Sequence, residues 1–248
     1  MSSDANLRPA WGKREWIWGG ITLFFLLIGL YWALIGAPTE RTMGVYQRIF
    51  YYHVPAAMAA YTAFALNLLG SIAYLLKKNK KADALAVAGA EVGLAFLSIN
   101  LITGPIWAKP IWGIWWTWDA RLTLTLIMWV MYASYLILRQ LTPSAEMQPR
   151  LAAALSIFFF ADVPIDYMAI RWWRTQHPSP VIFGGPNSGL APQMQVALLL
   201  CMIAFLLVMG WLIRLRYQQE MQRYWLENTR RELLLKDSGH TTPSTARS

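Results

Sequence analysis

Six long apolar stretches separated by short polar segments divide this chain. They cover residues 17–36, 57–76, 84–104, 122–139, 151–170 and 194–213. A helix of about 20 mainly apolar residues crosses the hydrocarbon core of a bilayer. The pattern therefore predicts an all-α integral membrane protein with six transmembrane helices.

The distribution of lysine and arginine predicts the orientation of these spans. Of the 22 basic residues, 16 lie on the side that holds both termini and 6 lie on the other side. Cytoplasmic loops carry the excess of positive charge, so both termini are predicted to be cytoplasmic. The predicted units are a cytoplasmic N-terminus (1–16), a membrane domain (17–213) and a cytoplasmic C-terminal helix and tail (214–248).

The three predicted outer loops are longer than the inner connections. They cover residues 37–56, 105–121 and 171–193. Long loops on one face commonly carry function, so the protein is expected to work on its outer face.

Composition excludes several classes of protein. With 56% hydrophobic and 14% charged residues, the chain does not have the composition of a soluble globular protein. One cysteine allows no internal disulfide framework, and without a C-x-x-C-H motif the chain holds no covalent c-type haem. There is no G-x-x-x-x-G-K-[ST] motif, so an ATP-driven step would require a partner subunit.

The second outer loop is crowded with tryptophan. The segment "WAKPIWGIWWTWDAR" contains Trp107, Trp112, Trp115, Trp116 and Trp118. An aromatic belt at the membrane surface is the simple interpretation. The spacing of residues 112, 115 and 116, however, predicts a short interfacial helix with three indoles on one face. Such a face favours a large planar apolar ligand.

Two of the three histidines lie in outer loops. His53 precedes Val54 and Pro55 and is predicted to cap the second span, where the helix dipole disfavours a protonated ring. His177 precedes Pro178, which favours an extended backbone. The third, His240, lies in the polar tail and is expected to be solvated.

Two imidazoles beside aromatic walls suit haem iron better than zinc, for which the sequence offers no third ligand at suitable spacing. The alternative is two unrelated loop histidines. If haem binds, Arg48 and Arg121 are the leading candidates to pair with its propionates. Ordinary snorkelling at the interface is the other interpretation of these arginines.

The segments that carry these residues resemble a known family. The segment "WGIWWTWDARLT" resembles the WWD signature of haem-handling membrane proteins, and "RIFYYHVP" and "WWRTQHP" are similar to segments of the haem exporter protein C (CcmC) family. The resemblance implies that His53 and His177 are the axial ligands of a non-covalently bound haem b. It also implies a platform formed by Trp112, Trp115, Trp116, Trp118 and Asp119.

The resemblance further implies a role in the biogenesis of c-type cytochromes. Such proteins present haem at the periplasmic face of the bacterial inner membrane and deliver it to the haem chaperone CcmE. They act in an ABC-type complex with the CcmA ATPase, the CcmB membrane subunit and the small subunit CcmD. Whether the chain also promotes covalent attachment of haem to the chaperone is left open, as are the roles of Glu91, Asp162 and Asp166. Two alternatives remain: a bis-histidine b-type cytochrome for electron transfer and a transporter for a flat hydrophobic metabolite.

Overall fold

The computed structural model describes residues 12–142, 144, 146–178 and 190–239, except for the side chains of 236–239. Part of the third predicted outer loop, most of the N-terminal segment and His240 lie outside the described residues. The α-helices are α1 (Lys13–Tyr31), α2 (Phe50–Lys77), α3 (Lys80–Trp112), α4 (Ala120–Leu141), α5 (Met147–Phe160), α6 (Asp162–Trp172) and α7 (Pro192–Gly239).

The prediction of an all-α protein with six membrane spans is confirmed. Within the described residues, six helical stretches are long and apolar enough to cross a membrane. A π-helical turn (Trp32–Gly36) extends α1, and a 3-10 helix (Val45–Ile49) leads into α2. The fifth span consists of α5 and α6, which meet at Ala161. The chain is therefore a multi-pass membrane protein.

Close contact between α2 and α3 forms the centre of the bundle. A Cβ atom added to Gly89 would lie 2.6 Å from the carbonyl oxygen of Ala63 and 2.7 Å from the backbone nitrogen of Asn67. Small residues allow membrane helices to approach in this way, and polar side chains then join them. The Asn67 amide donates to the carbonyl of Ala86 at 2.8 Å and accepts from the hydroxyl of Ser156 in α5.

Replacing Gly89 with alanine is therefore expected to destabilise the protein. The added methyl group meets backbone atoms, so α2 and α3 must separate, at a cost of about 1–3 kcal/mol in the free energy of unfolding. The matched control is Gly20→Ala in α1, since a Cβ at Gly20 meets nothing within 4 Å. Thermal unfolding in detergent should show a lower midpoint for Gly89→Ala than for Gly20→Ala. Equal midpoints would contradict this account of the packing.

The last helix continues without a break beyond residue 213. Its first basic residues do not form a free tail, because they pair with acidic side chains of other helices. An Arg214 Nη atom lies 2.6 Å from a Glu15 carboxylate oxygen, and Arg216 forms an ion pair with Glu91. The open question about Glu91 thus has a structural answer within the chain: its carboxylate joins α3 to α7.

Candidate functional site

His53 lies inside a helix and not in a loop. The sequence predicted a helix N-terminus immediately after His53, but the 3-10 helix runs into α2, which begins at Phe50. The prediction that His53 caps the second span is therefore wrong. The histidine is the fourth residue of α2, and its ring points into the bundle with only 8% of the residue exposed.

The hydrogen bonds of His53 leave one ring nitrogen with a lone pair. Its Nδ1 lies 2.9 Å from the hydroxyl of Thr103, which donates its own proton to the carbonyl of Ile99 at 2.8 Å. With that proton committed to Ile99, the hydroxyl can accept from Nδ1–H in the tautomer that keeps Nε2 basic. Asn100 donates to the backbone carbonyl of His53 at 3.1 Å, and its amide nitrogen lies 3.2 Å from Nε2.

His177 is arranged in a similar way in the third predicted outer loop. Its Nδ1 lies 3.2 Å from the carbonyl oxygen of Pro178. A carbonyl only accepts, so Nδ1 carries the proton and Nε2 keeps its lone pair. Burial, and secondarily the positive charge of Arg121, lower the pKa of His177 to about 4. The ring is therefore neutral throughout the physiological range of pH.

The structure brings these two imidazoles together. Their ring centroids lie 6.3 Å apart, with a tilt of 33° between the ring planes. A metal held about 2 Å from one nitrogen of each ring places the two centroids roughly 6 Å apart, once the radius of each ring is added. The separation suits an iron atom between the histidines. Among the described residues, no group of three or more His, Cys, Asp or Glu could hold a metal ion.

A pocket with mainly apolar walls surrounds the histidine pair. Its empty space, including the part open to solvent, is about 630 Å³. The lining includes Trp107, Trp112 and Trp116. The indole N–H groups of Trp107 and Trp116 are buried without a hydrogen-bond partner among the described residues.

The predicted tryptophan helix is absent. The third helix continues to Trp112 and ends at Gly113, whose φ is +78°. Residues 113–115 form a bend, and residues 116–119 have no regular secondary structure. Residues 112, 115 and 116 therefore do not share a helix face. Trp112 and Trp116 line the pocket, whereas Trp115 and Trp118 do not and are 58% and 77% exposed.

One wall residue, Trp107, was not among the predicted site residues. It lines the pocket together with Ala108, Ile111 and Trp112, all from the last turns of α3. Its ring meets that of His53 edge to face, with the centroids 5.8 Å apart. The spacing of these four residues is that of one helix face, which is the signal that would have identified Trp107 if α3 had been extended through the loop.

Asp119 links the tryptophan loop to the His177 loop. One carboxylate oxygen caps α4 by accepting from the Leu122 N–H at 3.0 Å. The other oxygen accepts from the hydroxyls of Thr117 at 3.1 Å and Thr175 at 2.8 Å. Thr175 in turn accepts from the backbone N–H of His177 at 3.0 Å. Asp119 thus positions a histidine rather than lining the pocket.

The structure separates the two candidate arginines. Arg121 lines the pocket, and its guanidinium bonds to Tyr61 and Asp166 of the surrounding helices. Arg48 is not among the lining residues, and its guanidinium donates to the carbonyl of Ala33 at 2.9 Å. Of the two, only Arg121 is placed to meet a ligand in this pocket.

Comparison with known proteins identifies a family that resembles this chain. The family model "CcmC: Heme exporter protein C" matches residues 5–232. A protein named "Heme exporter protein C" from Haemophilus influenzae is 33% identical over 210 residues, which cover 85% of each chain. Proteins of the same name from Bradyrhizobium diazoefficiens (33% over 187 residues, 75% of this chain and 71% of the relative) and Escherichia coli K12 (31% over 216 residues, 85% of each) are also similar.

Proposed function

The chain belongs to the haem exporter protein C family, and on that premise we propose that it binds haem b non-covalently and hands it on during the biogenesis of c-type cytochromes. The acceptor is the periplasmic haem chaperone CcmE. The chain acts as a multi-pass subunit in the bacterial inner membrane, with both termini in the cytoplasm. Its partners are the CcmA ATPase, the CcmB membrane subunit and the small subunit CcmD.

The observation that carries this proposal is the close approach of two imidazoles. His53 and His177 come from different parts of the chain, yet their ring centroids lie 6.3 Å apart in one pocket. Nδ1 of each ring lies within hydrogen-bond distance of a fixed oxygen, that of Thr103 or Pro178, so Nε2 is the ligand nitrogen in this proposal. The amide nitrogen of Asn100, 3.2 Å from Nε2 of His53, gives way to the iron. Two axial imidazoles leave iron no open position, so oxygen chemistry is suppressed while the cargo is held.

The surrounding residues have separate roles in holding the cargo. Trp107, Trp112 and Trp116 provide apolar walls for the porphyrin, and they exclude water from polar contacts at its edge. Arg121 pairs with a propionate. The exposed indoles of Trp115 and Trp118, next to the pocket in sequence, form part of the surface that meets the chaperone.

Transfer of haem between purified proteins tests this function. The full-length protein in detergent, loaded with haem, is mixed with the chaperone domain of CcmE, and haem on each protein is measured after separation. We expect haem to leave the membrane protein only when the chaperone is present. Haem that stays bound at every chaperone concentration would contradict the delivery role.

The depressed pKa of His177 predicts an unusual pH dependence of haem binding. Protons compete with iron for the imidazole lone pair, so a histidine with the ordinary pKa of about 6.5 weakens binding below that pH. Because the pKa of His177 is about 4, its ring stays neutral well below pH 6.5. The affinity for ferric haem is expected to change little between about pH 7.5 and 5.5 and to fall as the pH approaches 4. A tenfold loss per pH unit starting near 6.5 in a haem titration would contradict this.

A further inference from the structure

The charge of Arg121 is already matched before a ligand enters the pocket. One Nη atom lies 3.2 Å from Oδ2 of Asp166, and the other donates to the hydroxyl of Tyr61 at 2.9 Å. That hydroxyl donates in turn to Oδ2 of Asp166 at 2.5 Å. The side chain of Arg121 is 13% exposed and that of Asp166 is fully buried. The pocket wall therefore carries an ion pair and not a free cation.

Asp166 is held firmly in place. The hydroxyl of Thr125, one turn after Arg121 in α4, lies 2.9 Å from the Arg121 carbonyl oxygen and 3.2 Å from Oδ1 of Asp166, and it can donate to either. The Asp166 backbone carbonyl also accepts a hydrogen bond from Arg121. These contacts use the two Nη atoms of the guanidinium, and arginine has five N–H donors. The remaining donors can serve a second acceptor, because Arg121 also lines the pocket.

A ligand carboxylate at Arg121 must share the guanidinium with Asp166. Two carboxylates on one buried cation repel each other, and the repulsion is strong because water is largely excluded. A ligand that brings a second carboxylate gains less affinity at this site than it would at an unpaired arginine. How firmly the ligand is held is thus set partly by a residue that does not line the pocket.

We propose that Asp166 is a positioning residue that orients Arg121 toward the pocket and limits its hold on a propionate, so that haem is bound reversibly. This inference rests on the proposed function and deepens it. It assigns to α6 a part in the handover, because a cargo held by an unpaired arginine would leave more slowly. The ligand group that Arg121 recognises is the propionate carboxylate at the edge of the porphyrin.

Haem and its dimethyl ester separate this role from a purely structural one. Both carry the same iron and ring, but the ester has no carboxylates, so the ratio of the two dissociation constants reports carboxylate recognition. In the full-length protein in detergent, Asp166→Asn is expected to raise the preference for haem over the diester about tenfold. The gain should come from tighter binding of haem, with the affinity for the diester unchanged.

Asp162 provides the matched control. It lies one turn before Asp166 in α6, is 8% exposed, and forms no described ion pair with Arg121. Asp162→Asn therefore makes the same chemical change, and its effect on the preference should stay below about threefold, as expected for a charge outside the shared contact. In the double variant Arg121→Gln with Asp166→Asn, which leaves no unpaired buried charge, the preference for haem should fall below that of the parent.

The outcomes distinguish the two proposals. An unchanged preference in Asp166→Asn, or equal weakening of both porphyrins, would overturn the role of Asp166 while leaving the haem site intact. If Asp166→Asn does not fold, the preference of the parent protein for haem over the diester tests the proposal. A preference below about tenfold supports an Arg121 whose charge is already paired with Asp166, and a larger preference overturns the proposal. A parent that binds neither porphyrin contradicts the proposed function itself, and this inference with it.

Discussion

Replacing either His53 or His177 with alanine is expected to lower the affinity for haem by more than about 100-fold, because loss of a residue that only supports a metal ligand already costs about 10–100-fold. Each variant leaves one imidazole on the iron, and the second axial position then opens to water or stays vacant. The affinity is measured by titrating haem into the purified full-length protein and following the Soret band.

The third histidine of the chain supplies the control for this experiment. His240→Ala removes an imidazole from the tail, outside the described residues and outside the proposed site. It should bind haem as the parent does. Parental affinity in either His53→Ala or His177→Ala would show that the iron takes its ligands elsewhere.

Replacing Thr175 with valine is expected to weaken haem binding by about 10–100-fold, although Thr175 does not line the pocket. Its hydroxyl joins Asp119 to the backbone N–H of His177. Valine has a similar shape but can neither donate to the carboxylate nor accept from the N–H. Without the connection, the His177 loop is no longer fixed to the start of α4, and the imidazole pair loses its spacing.

A neighbouring threonine gives a matched comparison. Thr117 also donates to Asp119, at 3.1 Å, but it has no described bond to His177. Thr117→Val should therefore reduce the affinity much less than Thr175→Val in the same Soret titration. Equal losses in the two variants would mean that the hydrogen bonds to Asp119 matter only for the tryptophan loop.

The membrane spans were predictable because burial in lipid imposes long apolar runs on the sequence. The helix ends were less predictable. Polar residues such as Arg48 and Lys109 interrupt the apolar pattern, yet they lie in helical segments that extend beyond the apolar stretches. Helix α3 continues through two prolines to Trp112. This extension turns Trp107 toward the pocket and abolishes the short helix that the loop spacing suggested.

The sequence allowed us to infer which two histidines are the candidate ligands, but not how they are arranged. Residue type and position suggested two imidazoles on one face of the membrane, whereas the contact of His53 with Thr103, 50 residues further along the chain, has no local pattern that marks it. The same holds for Arg121, whose contacts come from Tyr61 in α2 and Asp166 in α6. Such long-range pairs become visible only once the helices are packed together.

The electron paramagnetic resonance spectrum of the full-length protein with ferric haem tests the central claim most directly, since it reports the ligand field of the iron. The account predicts a low-spin signal typical of two axial imidazoles, with one haem per chain. Substitution of His53 or His177 alone should convert that signal to high spin. A high-spin signal in the parent, or a low-spin signal that survives both single substitutions, would contradict axial ligation by this pair.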